Sequence, residues 1–304
     1  MSLSLEQLQA FVAAAETGSF SAAARRLGKA QSVVSTAVSN LEIDLDNALF
    51  DRSGRYPALT PAGERLLVEA RVILERCEHF RGVAKSLGEG VESRLVLAVD
   101  ELYPEETLGV LLEEFSHRFP AVELELLFPV MEDVSRLVLE GGADLGLMWR
   151  QEVLPPALAF RGLGWVPMQI ICAPDHPLAA QQRVGWEELK RHRQLMVAVR
   201  SDSEEKMRLR VAAEVWWVES HWVIVELVKR ELGWAFVPWH VAANSPAAAQ
   251  LVSPELDFDD QDWPVAMELV WHKQRPLGKA GAWLQERVSH QPLPQPAPRR
   301  RGGG

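Results

Sequence analysis

Cysteine is scarce in this 304-residue chain: Cys77 and Cys172 are the whole complement, and they lie far apart. A disulfide framework or a cysteine-built zinc cluster is thereby excluded, and a reducing compartment is expected. Long apolar runs are missing as well. The segment from Val211 to Val228 is broken by Glu214, Glu219, His221 and Glu226, so neither a bilayer-spanning helix nor a membrane partner is expected. Met1 to Ala10 has no basic start and no apolar stretch, so a secretory leader is not expected and a cytoplasmic location is. Enzyme signatures are also wanting: there is no P-loop, no dinucleotide-binding glycine fingerprint, no His-Glu-x-x-His and no Gly-x-Ser-x-Gly. The eight histidines are scattered, and a lone His221 at a helix start reads as a surface or capping residue before a catalyst. No catalytic residue, metal or cofactor is therefore expected.

A basic balance is absent too: 32 Lys and Arg stand against 42 Asp and Glu, a net charge of -10. Taken whole, that argues against a nucleic-acid partner, but its distribution matters more. Residues 1–90 hold ten basic and eleven acidic side chains, while the remainder holds 22 and 31. Between Phe20 and Arg65, six basic residues face five acidic ones. Phosphate contact requires a basic face rather than a basic chain. An apolar fraction of 47% with 24% charged residues is that of an ordinary soluble protein, and the length allows two cores.

Leu5, Leu8, Phe11, Val12 and Ala15 recur at helical spacing and predict a first helix. Gly18 ends it, Ser19 or Ser21 caps the next, and Gly28 provides a turn that tolerates positive φ. A third helix starts near Ser32, with Val34, Val38, Leu41 and Leu45 as its buried stripe. Its other faces carry Gln31, Ser32, Val33, Ser35, Thr36, Ser39, Asn40 and Ile43, with no charge from Gln31 to Asn40. Hydroxyls bond base edges or phosphates, and methyl groups touch the thymine methyl in a major groove. Charge lies around this helix instead: Arg25, Arg26 and Lys29 precede it, and Arg52 and Arg55 follow. Gly54 and Pro57 tighten the latter segment into a wing-like loop, with Arg55 at its tip for a minor groove or a phosphate. The pattern alone also suits a structural helical hairpin with scattered surface charge.

Thr60 and Pro61 suit the start of a long helix. Leu66, Ala70, Ile73, Cys77, Phe80, Ala84 and Leu87 then alternate steps of four and three, a heptad seam that asks for the same helix of a second chain. Cys77 on that seam reads as apolar filler. A dimer places two reading helices on one duplex and implies a roughly palindromic site.

In "LEQLQAFVAAAETGSFSAAARRL", "QSVVSTAVSNLEIDL" and "LFDRSGRYPALTPAGERLL" the chain resembles the LysR-type transcriptional regulators. It departs from their pattern where Thr36 and Ala37 follow Ser35 and where Asn40 precedes Leu41-Glu42, positions often basic in the family. The resemblance implies a winged helix-turn-helix, a linker helix and an effector domain of two α/β halves. It further implies double-stranded DNA and a small-molecule effector as partners, assembly as a homodimer or homotetramer, and RNA polymerase at the promoter.

The remaining residues agree with that expectation. "RLVLAV", "VELELLF" and "ADLGLMW" read as strands separated by helices, as do "QLMVAV", "EVWWVES" and "GWAFVP". "MQIICAPDHPLA" enters the second half and "MELVWHKQRPL" returns to the first, giving a hinge near Gly164 and Pro264. Ligands of open α/β sheets sit beyond the carboxyl ends of strands. That rule selects Asp100, Glu101, Leu102, Phe128, Trp149, Arg200, Ser201, Asp202, Ser220, His221 and Trp239 as effector-binding candidates. Ser220 caps a helix whose N-terminus suits an anion, and capping alone also accounts for it. Asp100 and Glu101 suit an ammonium or hydroxyl group, or else complement a helix dipole.

The expected fold is α/β with an N-terminal all-α winged helix-turn-helix and a C-terminal two-lobed domain of the periplasmic-binding-protein type. The divisions are residues 1–59, a linker and dimerisation helix over 60–90, and an effector domain over 91–290. Its first lobe takes 91–163 and 266–290 and its second 164–265, with a disordered Pro-rich tail at 291–304. The expected function is a DNA-binding regulator that reads an interrupted palindrome and answers to an effector. The alternative is a cytosolic metabolite-binding protein or an enzyme with a helical appendage. A solute-binding protein shares the two-lobed fold but requires export.

Overall fold

The computed structural model describes residues 3–54, 56–198, 207, 209–258 and 263–295. The chain divides into two compact units, Met1–Lys85 and Ser86–Gly304.

In the first unit, α1 (Leu5–Thr17) starts with a capping box between Ser4 and Gln7 and ends at Gly18, φ +64°. Ser19 caps α2 (Phe20–Leu27), which ends at Gly28, φ +66°. Both turns need the left-handed backbone that glycine adopts without strain. The third helix, α3 (Gln31–Leu45), begins one residue before the expected Ser32. Leu8, Phe11, Ala14, Ala23, Val34, Val38 and Leu41 close the core between the three helices. The unit is not purely helical: β1 (Phe50–Asp51) and β2 (Ala58–Leu59) pair antiparallel and make a small wing. Phe50 anchors that wing by edge contacts with Phe11 and Phe20, at 5.8 and 5.3 Å between ring centroids.

Helix α4 (Pro61–Gly88) follows. Thr60 accepts from Gly63 N at 3.0 Å and donates to Ala48 O at 2.7 Å, so one hydroxyl both caps the helix and ties it to the wing. Leu66 and Ala70, two of the expected seam residues, pack with Leu67 and Leu74 onto the unit's own core. The beginning of the seam is thus used within the chain, because α4 must first cover the open side of the three-helix core. Further along, Ile73 and Phe80 are exposed and Cys77 is half-buried.

The second unit is one eight-stranded sheet. Its strands are β3 (Arg94–Val99), β4 (Glu123–Leu127), β5 (Leu145–Trp149), β6 (Leu158–Ile171), β7 (Gln194–Val197), β8 (Val215–Val218), β9 (Trp234–Pro238) and β10 (Trp263–His272), in the order β4-β3-β5-β10-β6-β9-β7-β8. Parallel β4-β3-β5 forms one half and parallel β9-β7-β8 the other. The long antiparallel pair β6 and β10 runs through both, with a register shift between Met267 and Glu268. Opposite that shift Gly164 has φ +132°, a backbone that side chains rarely adopt. Helices α5 (Glu105–Arg118), α6 (Glu132–Glu140), α7 (Trp186–Arg191), α8 (His221–Lys229), α9 (Trp239–Asn244) and α10 (Lys279–His290) cover the faces.

β6 starts at Leu158, ahead of the segment from Met168 that enters the second half, because its first half pairs with β10 from Ala159 to Gly162. Two expectations need correction. The sequence from Ser220 predicts a helix as far as Leu232, but α8 stops at Lys229, since Glu231 has φ +62° and Gly233 turns the chain into β9. The start of the tail is placed rather than disordered: Leu293 is buried in the main core and Gln295 Nε2 donates to Trp165 O at 2.8 Å. Residues 296–304 of the tail lie outside the described residues.

Candidate nucleic-acid interface and effector cleft

Helix α3 buries Val34, Val38 and Leu41 and leaves Gln31, Ser32, Val33, Thr36, Asn40 and Ile43 exposed. Ala30 precedes it without a side-chain cap, so its first backbone N–H groups meet no capping hydroxyl. Ser39 is half-buried and its hydroxyl accepts from both terminal nitrogens of Arg52 at 3.3 Å. Arg52 also pairs with Glu42 at 2.7 Å and lies over the Phe20 ring. The other oxygen of Glu42 accepts from Leu49 N and Phe50 N at 2.9 and 3.1 Å. Glu42 therefore locks the end of α3 to the wing and holds Arg52 between them.

The remaining basic candidates ring the helix. Arg25 is exposed in the last turn of α2, Arg26 pairs with Glu16 at 2.6 Å, and Lys29 pairs with Glu6 at 3.0 Å. Exposed pairs of this kind are worth about 0–1 kcal/mol, so a phosphate replaces the carboxylate at little cost. Arg55 lies outside the described residues.

In the second unit the candidates separate. Asp100 is buried, and its oxygens accept from Leu102 N at 2.9 Å and Met131 N at 2.7 Å. Burial pushes its carboxyl above the ordinary value against those two hydrogen bonds. It thereby fixes Met131, whose φ of +51° is strained for a side-chain-bearing residue. Asp100 is committed to the backbone and does not line the cleft.

Glu101 leaves the end of β3 and reaches the start of α8. It accepts from Ser220 Oγ at 2.9 Å and His221 N at 2.6 Å, with His221 Nδ1 at 3.5 Å. Ser220 precedes α8 but makes no side-chain cap, which corrects the expected capping role. Its hydroxyl donates to Glu101, and the glutamate carboxylate caps the helix in its place. Burial raises the Glu101 carboxyl, and the hydrogen bonds from His221 and Ser220 outweigh it, leaving a pKa below the ordinary value. Nearby, His240 Nε2 lies 3.2 Å from Glu101 O and Asn244 donates to Glu105 at 3.1 Å. These contacts tie the β3–α5 region to α8 and α9.

Beside this latch is a cavity of about 90 Å³ lined by Leu102, Met131, Trp149, Met168, Met196, Val197, Phe236, Val265 and His221, among others. Of the expected effector residues it gathers Leu102, Trp149 and His221. Phe128 is 56% exposed, and Trp239 packs against the main core instead. Arg200, Ser201 and Asp202 lie outside the described residues. Met131, Met168, Met196, Phe236 and Val265 were not selected from the sequence, because they come from the middle of strands and from a loop rather than from strand ends. The available signal was methionine itself, an adaptable residue common at binding surfaces.

Residues 5–64 match the family described as "Bacterial regulatory helix-turn-helix protein, lysR family", and residues 88–291 match "LysR substrate binding domain". The HTH-type transcriptional regulator AceR of Acinetobacter baumannii is 33% identical over 301 residues, covering 98% of this chain and 100% of that protein. The chain belongs to the LysR family of transcriptional regulators. It is a DNA-binding regulator with an effector-binding domain, not an enzyme. A probable nitrogen assimilation transcriptional activator of Synechococcus elongatus is 34% identical over 187 residues, covering 61% of this chain and 60% of its own. Among solved structures, full-length BenM shares the fold at a TM-score of 0.53 and 20% identity, over 95% of this chain and 96% of that one. Oxidized OxyR of Corynebacterium glutamicum does so at 0.50 and 22%, over 95% and 91%. For this LysR regulator, the exposed face of α3 and the cavity beside Glu101 are the natural candidates for the two recognition tasks.

Proposed function

We propose that this regulator binds an interrupted palindromic promoter site as a homodimer or homotetramer, in the cytoplasm, and that an effector in the cleft alters that binding. The observation that carries the DNA reading is the neutral, exposed face of α3 rimmed by Arg25, Arg26, Lys29 and Arg52. Gln31, Ser32, Val33, Thr36, Ser39 and Asn40 sample base edges or adjacent phosphates, and the basic rim, with Arg55 of the wing, holds the backbone. The uncapped start of α3 adds backbone donors for a phosphate. Residues 1–59 serve as the reading domain, 60–90 as the linker that pairs two chains, and 91–290 as the effector domain. Its two lobes move about the irregular stretch of β6 and β10 near Gly164. RNA polymerase is the partner through which the bound regulator acts.

Footprinting on candidate promoters tests this. The expected result is protection of two half-sites in inverted order, with affinity falling steeply as salt rises. Equal binding to all duplexes would overturn it.

A further inference from the structure

Three cations at the rim of α3 each face a carboxylate, and the three carboxylates are balanced differently. Glu6, opposite Lys29, is 76% exposed, so water and salt screen it. Glu42, opposite Arg52, gives its other oxygen to Leu49 N and Phe50 N. Glu16, opposite Arg26, gives its other oxygen to a second guanidinium. Arg26 Nη1 donates to Oε2 at 2.6 Å, and Arg71 Nη2 donates to Oε1 at 3.1 Å. Arg71 belongs to α4, not to the three helices of the reading domain.

Glu16 stands in the last turn of α1, where the helix dipole opposes a carboxylate. That turn has no basic residue of its own. The side chain is only 27% exposed, so water balances its charge poorly. The hydrogen bond from Arg26, and then the contacts from Arg71, outweigh burial and hold its carboxyl below the ordinary value. Glu16 is thus ionised at neutral pH and takes its balance from the two arginines. With both in place, two positive charges face one negative charge and one positive charge is left over. Arg26 is the more exposed of the pair, and it stands in the last turn of α2 beside Arg25, just ahead of α3. Its bond to Glu16 uses one nitrogen of the guanidinium. Without Arg71, the whole charge of Glu16 falls on Arg26 and the excess vanishes.

We infer that Arg71 is a positioning residue for DNA binding: by holding Glu16 it keeps Arg26 charged toward phosphate, so the linker helix sets the electrostatic grip of the reading domain. The inference rests on Arg26 meeting the DNA backbone, as proposed above. Helix α4 continues from Arg71 into the second unit. A shift of α4 against α1 therefore changes the grip without moving α3.

Phosphate contacts carry no sequence information, so a random-sequence duplex serves as the probe. Affinity of the full-length chain is read by fluorescence anisotropy over a salt series. Arg26→Ala should weaken binding about fivefold and lower the salt slope by about one. Arg71→Ala should lower the slope in the same direction and weaken binding about threefold, through Glu16 alone. Arg71→Lys keeps the charge and should bind as the wild type does. The double variant Glu16→Gln/Arg71→Ala removes both the carboxylate and its balance, and should return affinity to within about twofold of wild type. Unchanged binding in Arg71→Ala overturns the inference. So does a loss that Glu16→Gln fails to rescue, because Arg71 then meets phosphate itself or only supports the fold. If Arg26→Ala weakens binding and Arg71→Ala does not, the interface stands and the inference alone falls. If Arg26→Ala changes neither affinity nor slope, Arg26 leaves the interface and the inference falls with it.

Discussion

Replacing Glu101 with alanine removes the carboxylate that joins the end of β3 to the start of α8. Two hydrogen bonds are lost, from Ser220 Oγ at 2.9 Å and His221 N at 2.6 Å. Hydrogen bonds to a charged partner are worth about 1.5–3 kcal/mol each, and leaving a buried N–H unpaired adds to the loss. The two donors are adjacent, and a slight opening of the cleft lets water reach them. The expected destabilisation is therefore about 2–3 kcal/mol for the second unit. Urea unfolding followed by tryptophan emission isolates that unit, because all eleven tryptophans lie at or beyond Trp149. The midpoint should fall with little change in slope, and Glu101→Gln should recover part of the loss. The pH dependence is a second check. The Glu101 carboxyl titrates below the ordinary glutamate value of 4.5 in the folded chain. Its stabilisation is full above that value and is lost as pH falls through the lower, folded one. The gap between wild type and Glu101→Ala should therefore close on acidification. A change under about 0.5 kcal/mol at neutral pH, within the range of ordinary surface substitutions, would refute the latch.

Gly63→Ala would place a Cβ 2.2 Å from Leu49 O and should cost the first unit about 1–3 kcal/mol; an unchanged far-UV melting profile of that unit would contradict it. Thr36→Ala should change base preference with modest loss of affinity, while Arg25→Ala should weaken all duplexes alike and lower the salt slope by about one. Competition binding against half-site variants separates these outcomes. Phe80 is 74% exposed on α4, and Phe80→Glu should shift the chain toward monomer by light scattering; an unaltered mass would remove Phe80 from the interface between chains.

Much of the fold was legible because its signals are local. Gly18 and Gly28 each sit at a positive-φ turn, as expected, and β3 runs from Arg94 to Val99 as its apolar run predicts. What was missed depends on distant partners. The first half of β6, "LAFRGL", is not a strong strand pattern, and pairing with β10 makes it one. Leu293 follows a Pro-rich tail pattern, yet the core beside Gly164 receives it. The outward face of α3 followed from helical spacing alone, so all its residues except half-buried Ser35 and Ser39 are exposed. The cleft was less legible because its floor comes from mid-strand residues such as Met168. A serine before a helix predicts a cap; no pattern in the sequence shows that a glutamate 119 residues away takes that place.

Selection from a pool of random duplexes, with the full-length chain at physiological salt, tests the central claim most directly. The account predicts enrichment of one motif made of two inverted half-sites, its bases altered by Thr36→Ala. Recovered sequences without a shared motif, or a single half-site indifferent to Thr36, would contradict it.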